Sequence, residues 1–128
     1  MSDKFTVEII SPDQTILKQE VNEVIIPSFE GQMGILNNHI PLITFLRPGI
    51  ITIKTEGEKK YYVEEGTVEF SNNNLLILTS TARDLVDLDT SKIKELLQKA
   101  EANLNNQSTD KERYIASYKL ETLKEISQ

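Results

Sequence analysis

The chain has 128 residues, with 14 Lys and Arg against 20 Asp and Glu, a formal net charge of −6, 38% hydrophobic residues and no cysteine. That length suits one domain with a small appendage; the acid excess argues against a nucleic-acid binder, which would carry a basic face; and the lack of cysteine removes disulfides and thiolate metal sites. Met1-Ser2-Asp3-Lys4-Phe5 holds no apolar signal core and no apolar run approaches membrane-spanning length, so the expectation is a soluble chain that reaches a membrane only through partners.

The first strand signal is residues 4–10, where Phe5, Val7 and Ile9 alternate with Lys4, Thr6 and Glu8, the period of a half-buried strand. Ser11-Pro12-Asp13 is a turn, and residues 15–18 form a short return strand. Residues 20–27 hold Val21, Val24, Ile25 and Ile26 and read as a more buried strand. Three further strands are expected near 33–36, 42–46 and 49–55. The stretch between them is repeatedly broken: Gly31 and Gly34 permit unusual φ or close backbone approach, and Pro41 and Pro48 fix φ and remove ladder donors. A segment that turns corners while staying apolar suits strands passing between two packed sheets. Glu56-Gly57-Glu58 makes a polar hairpin tip before a strand over 60–64. Residues 66–70 and 75–79 flank Ser71-Asn72-Asn73-Asn74 as a second hairpin.

The pattern changes near residue 87. Ile93, Leu96, Leu97, Ala100 and Leu104 follow helical spacing, with Asp87 or Asp89 as N-cap. Asn105-Asn106-Gln107-Ser108 breaks that helix, and Thr109-Asp110-Lys111-Glu112 reads as a capping box. The next helix gathers Ile115, Ala116, Leu120, Leu123 and Ile126 on one arc, into which Lys119 intrudes. Residues 1–87 hold 7 basic and 13 acidic residues and residues 88–128 hold 7 of each, so the acid excess lies wholly in the first part. The expected fold is mainly β plus α: an N-terminal antiparallel β-sandwich over 1–86, then a C-terminal antiparallel two-helix hairpin over 87–128.

No catalytic constellation appears. His39, the only histidine, has no serine–aspartate pair or second metal ligand at useful spacing, and reads from the residues as a hydrogen-bonded corner histidine. Gly31-Gln32-Met33-Gly34 lacks both the Walker and the dinucleotide spacing. The carboxylate pairs Glu56/Glu58 and Glu64-Glu65 sit at hairpin ends, as solubility and edge-protecting charges. Neither a cofactor nor a metal is expected.

The order Glu30-Gly31-x-Met33-Gly34-Ile35-Leu36-x-x-His39-x-Pro41-Leu42, followed by Arg47-Pro48-Gly49 and Ile53, resembles the epsilon subunits of F-type ATP synthases. Ile10-Ser11-Pro12-Asp13, the strand Val21–Pro27 and a helical tail agree, so the resemblance spans nearly the whole chain. It implies a non-catalytic rotor subunit of the central stalk, peripheral on the cytoplasmic face of a bacterial inner membrane. Its partners would be the gamma subunit and the c-ring, with the alpha and beta subunits reached through the hairpin. It further implies ring contacts at Ser28, Phe29, Glu30, Gln32 and Met33, and gamma contacts at Leu17, His39, Ile43 and Ile50. Leu88, Asp89 and Lys92 occupy the place where some family members bind ATP. Lys92 stands for that motif's arginine and cannot reproduce the guanidinium fork, and Ile93 stands for its alanine, so an N-cap and first helical turn are favoured there and any brake on ATP hydrolysis is expected to be mild. The alternative from another class is a free-standing sandwich that binds a peptide or other ligand, with the helices as an appendage.

Overall fold

The computed structural model describes residues 4–106 and 109–127. Its strands are β1 (Phe5–Ile10), β2 (Thr15–Val21), β3 (Glu23–Ser28), β4 (Gly31–Leu36), β5 (Leu42–Leu46), β6 (Gly49–Lys54), β7 (Glu58–Val63), β8 (Gly66–Ser71), β9 (Asn74–Leu78) and β10 (Arg83–Asp84). A 3-10 turn over Leu85–Asp87 leads to α1 (Thr90–Asn106) and α2 (Asp110–Ile126).

Hydrogen bonding links the strands in the order β10-β7-β6-β3-β5-β8-β9-β1-β2, with β4 on the other side of β3. The link between β3 and β5 is a single pair, Ser28 with Leu46. There the sheet folds over into two leaves, β10-β7-β6-β3-β4 and β5-β8-β9-β1-β2. Their facing sides share one core. The first leaf supplies Val24, Ile26, Ile35, Ile51, Ile53, Tyr61 and Val63; the second supplies Phe5, Val7, Ile9, Val21, Leu46, Val68, Phe70, Leu75 and Ile77. Phe5 meets Phe70 edge to face with centroids 5.6 Å apart, a favoured aromatic geometry.

The expected sandwich and helical hairpin are both present. The strand pairs are antiparallel except β1 with β9, which is parallel. Pairing also moves several boundaries. Val21 lies opposite Phe5 and so belongs to β2 rather than β3. Gly31 pairs with Ser28 and starts β4 early, and Glu58 pairs with Lys54 and starts β7 early. Residues 83–84, not expected as a strand, lie along Tyr61 and Tyr62. Asp89 is the cap of α1, its carboxylate accepting from the Lys92 N–H at 2.8 Å. The Thr109 hydroxyl caps α2, accepting from the Glu112 N–H at 3.1 Å. The expected break at 105–108 falls partly on a helix that runs to Asn106; Gln107 and Ser108 lie outside the described residues.

The hairpin forms a second, separate cluster. Leu96, Ala100 and Leu123 close over Tyr62, with Leu85, Leu88, Leu97, Leu120 and Ile126 around them. Tyr62 is the sheet's buried contribution, on the outer face of β7. Gly49 matters nearby: a Cβ there would lie 2.5 Å from the Pro27 Cβ, so only glycine lets β6 leave the corner against β3. Gly49→Ala is therefore expected to cost about 1–3 kcal/mol by overpacking, measured by urea unfolding. A piece comprising residues 1–87 should retain a cooperative thermal transition, because its core does not draw on the helices; a broad, non-cooperative melt would show that the hairpin is part of that core.

Candidate functional site

Among the described residues no group of His, Asp and Glu could hold a metal ion, and no helix is long and apolar enough to cross a membrane. The informative features are surfaces.

One is the β3–β4 turn. Ser28 is wholly buried. Its hydroxyl donates to the Gly31 carbonyl at 2.6 Å and accepts from the Glu30 N–H at 3.2 Å, so it fastens the turn from beneath. Phe29 and Glu30 form the exposed tip, and Gly31 follows at φ 119°, a left-handed conformation that suits glycine. The Glu30 carboxylate accepts from the Thr44 hydroxyl at 3.1 Å. Gln32 is exposed and Met33 half-buried against the core. Of the ring-contact residues implied by the resemblance, the structure thus presents Phe29, Glu30 and Gln32 outward and uses Ser28 as a fastener.

A different surface lies on the outer face of β5 and β9. Ile43 is 74% exposed, Phe45 is 58% exposed and Leu78 is 45% exposed. Phe45 pairs with Thr67, which in turn pairs with Leu78, so the apolar side chains form a strip across the leaf. Ile40 extends it into the preceding loop. That loop is held by two asparagines with positive φ, Asn38 and Asn73. The Asn38 N–H donates to the Asn73 side-chain oxygen at 2.6 Å, and the Asn73 amide donates back to Asn38 at 3.1 Å. His39 turns its ring edge-on to Phe70, centroids 5.9 Å apart, with Nδ1 2.7 Å from the Ile40 carbonyl. The four expected gamma contacts therefore separate. Ile43 lies in the strip and His39 at its corner. Leu17 packs half-buried against the sandwich core. Ile50, opposite Tyr62 on β7, lines a cleft beneath α2 together with Tyr118 and Thr122. Sequence reasoning missed Ile40, Phe45 and Leu78. The apolar residues Leu42, Ile43, Phe45 and Leu46 on both sides of an inward Thr44 were the available signal for a strand whose both faces are used.

Leu88, Asp89 and Lys92 come together along a cavity of about 620 Å³ with Tyr61, Arg83, Asp84 and Asp87. Asp89 is occupied as the α1 cap, and the Lys92 ammonium lies 3.9 Å from Glu95. Burial, then Asp84 and Asp87, hold the Tyr61 hydroxyl protonated. Three carboxylates against two cations make this cavity a poor host for a polyanion.

Lys119, the charge that interrupts the α2 apolar arc, lies 3.3 Å from Glu64. Glu64 also accepts from the Tyr62 hydroxyl at 3.0 Å. The helix is thus fixed to the sheet by a polar clasp beside its apolar contact. Burial, followed by the Glu64 charge and its hydrogen bond, raises the Tyr62 pKa well above the ordinary tyrosine range.

Residues 4–84 match the family model for the beta-sandwich domain of the ATP synthase delta/epsilon chain. Over 99% of its length the chain is 48% identical to the ATP synthase epsilon chain of Pelagibacter ubique, covering 100% of that protein. It is 34% identical to that of Afipia carboxidovorans over 97% of its length and 92% of the relative's. Among solved structures it resembles a chain of the Euglena gracilis mitochondrial ATP synthase, seen with OSCP, F1 and the c-ring, at TM-score 0.80, 24% identity and coverage of 100% and 84%. It also resembles a chain of the Tetrahymena thermophila mitochondrial central stalk and c-ring at TM-score 0.69, 16% identity and coverage of 96% and 96%. At those identities the structural likeness is one of fold.

The Tyr62 clasp has a testable pH dependence. A hydroxyl whose pKa is raised by folding contributes fully below the ordinary value of 10.0, and that contribution is lost as pH rises above it. Titration by ultraviolet absorbance should show one tyrosine ionising well after the others, together with helix undocking. In Tyr62→Phe the late step should vanish, and its persistence would assign it to another tyrosine.

Proposed function

This chain belongs to the ATP synthase epsilon chain family, and on that premise we propose that it serves as the non-catalytic central-stalk subunit that joins gamma to the c-ring of a membrane-bound ATP synthase. The apolar strip Ile40, Ile43, Phe45 and Leu78 is the gamma-facing side, with His39 and the Asn38–Asn73 clasp setting its corner. The observation that carries this is the 74% exposure of Ile43 on an otherwise well-packed sandwich, since contiguous exposed apolar side chains on a small protein mark an interface. The turn at Phe29 and Glu30, with Gln32 beside it, is the ring-facing side. A two-leaved sandwich with a continuous core resists shear between these faces, which transmission of torque requires. The assembly would place the chain on the cytoplasmic face of a bacterial inner membrane.

The docked hairpin is the resting state in this reading. Undocking exposes Leu96, Ala100 and Leu123 together with Tyr62, and each large apolar side chain left in water costs about 1.5–3 kcal/mol. An extended hairpin that hinders ATP hydrolysis is then sparsely populated unless another subunit covers those side chains. The cavity beside Lys92 is acid-rich and lacks the family motif's arginine, so tight ATP binding is not part of the proposal.

Ile43→Glu and Phe45→Glu should weaken capture of gamma at least tenfold, with unfolding midpoints within a few degrees of the parent. Ile50→Glu, placed beneath α2, should instead loosen the hairpin. Unchanged gamma capture per folded molecule in both strip variants would refute the assignment. Calorimetric titration with ATP should give no micromolar binding; a micromolar Kd would show that Lys92 suffices.

A further inference from the structure

Arg47 stands between β5 and β6 and belongs to none of the roles above. Its backbone N–H donates to the Pro27 carbonyl at 3.0 Å, and its Nε donates to the Ser28 carbonyl, also at 3.0 Å. Its guanidinium lies over the Tyr118 ring, 4.0 Å from the centroid, a cation–π contact for which arginine's planar group is suited. From Tyr118 the contacts continue along α2. Tyr114 meets Tyr118 edge to face at 4.8 Å, and Tyr114 stacks on Phe29 at 6.1 Å with the rings 20° from parallel. Phe29 follows Ser28 in the chain, so the contacts close a circuit: Ser28, Arg47, Tyr118, Tyr114, Phe29. Tyr114 and Tyr118, one helical turn apart, share a face of α2. The circuit joins the β3–β4 turn to the helical hairpin beside the Glu64–Lys119 clasp, through contacts that the clasp does not share.

We propose that this circuit is a latch which couples the conformation of the β3–β4 turn to docking of the hairpin. The two ends share contacts, so their coupling is reciprocal: displacing Phe29 or the Ser28 carbonyl loosens α2, and displacing α2 frees the turn. Phe29 is the only turn residue in direct ring contact with the helix. Glu30 reports the state of the turn through its N–H bond to the Ser28 hydroxyl. Where the turn faces the c-ring, which rests on the function proposed above, engagement by the polar loop of a ring subunit would draw on Phe29 and shift the hairpin toward release. The position of a regulatory element would then depend on whether the rotor is assembled.

Hydrogen exchange on the full chain tests the latch without any partner. Phe29→Ala removes the ring by which the turn meets Tyr114, and should speed exchange across the amides of α2 at least about fivefold while the β1, β8 and β9 amides keep their rates. Tyr118→Leu removes the ring beneath Arg47 and touches no residue of the turn tip directly, and should speed exchange of the Glu30 amide by a similar factor. Arg47→Lys keeps the charge but loses the planar stack, and should do both. Parent-like rates in α2 for Phe29→Ala, or at Glu30 for Tyr118→Leu, would overturn the coupling. Should Phe29→Ala fail to fold, Phe29→Leu keeps the bulk, removes the stack and carries the same expectation. A peptide of the ring subunit's polar loop, added to the parent chain, should speed α2 exchange. If it has no effect while the variants remain coupled, the latch stands and the assignment of the turn to the ring falls.

Discussion

The crossing at Ser28 is the constraint on which the rest of the structure depends. One residue pair, Ser28 with Leu46, carries the sheet from one leaf to the other. The site is buried, so its polar groups must find partners inside the protein. The Ser28 hydroxyl is satisfied by Gly31 and Glu30, and its carbonyl by Arg47. Pro27 contributes no N–H there, and its ring lies where Gly49 must pass without a side chain. Corner, turn and cation are therefore one local solution to a single packing problem. The consequence is geometric: the same few residues set the tip formed by Phe29 and Glu30, the direction of β5, and the place where α2 can rest.

From that corner the chain builds two apolar clusters that do not merge. The sandwich core draws on both leaves, whereas the hairpin cluster reaches the sheet through Tyr62. A sandwich with its own core and a separately packed helical hairpin are thus made from one short chain. The sandwich offers an apolar strip on one leaf and the tip of Phe29 and Glu30 at the corner. The hairpin is retained by moderate contacts: a tyrosine–carboxylate–lysine clasp, a small apolar cluster, and an arginine stacked on Tyr118. Partly exposed ion pairs contribute little individually, so docking is the sum of several weak terms and is open to bias by partners.

Much of this was legible in the sequence where periodicity was clean. Phe5, Val7 and Ile9 announced β1, the run Ser71–Asn74 announced the β8–β9 hairpin, and the spacing of Ile93, Leu96, Leu97 and Ala100 announced α1. The spaced pattern from Glu30 to Ile53 pointed to the family. What stayed hidden depended on contacts distant in sequence. The parallel pairing of β1 with β9 leaves no trace in alternation. Lys119 looked like a flaw in an apolar arc because its partner, Glu64, lies on another element. Ile43 and Ile50 looked equivalent as strand isoleucines, yet one faces open solvent and the other lies beneath α2. Ser28 was expected only as a ring contact, because neither its burial nor its bonds to the turn can be seen until the corner is folded. Arg47 entered only as part of the family pattern, because its bond to the Ser28 carbonyl exists once the corner is folded and its stack on Tyr118 once α2 has docked.

In the proposed assembly the corner tip faces the ring while the β5 strip faces gamma. The chain contains no cysteine, so a single introduced thiol reports without background. The direct measurement is oxidative cross-linking in the assembled enzyme, with Glu30→Cys in this subunit and single cysteines walked along the polar loop of the ring subunit. A disulfide is expected at one or two adjacent loop positions. The absence of a cross-link along the whole loop, in complexes that retain this subunit, would contradict it.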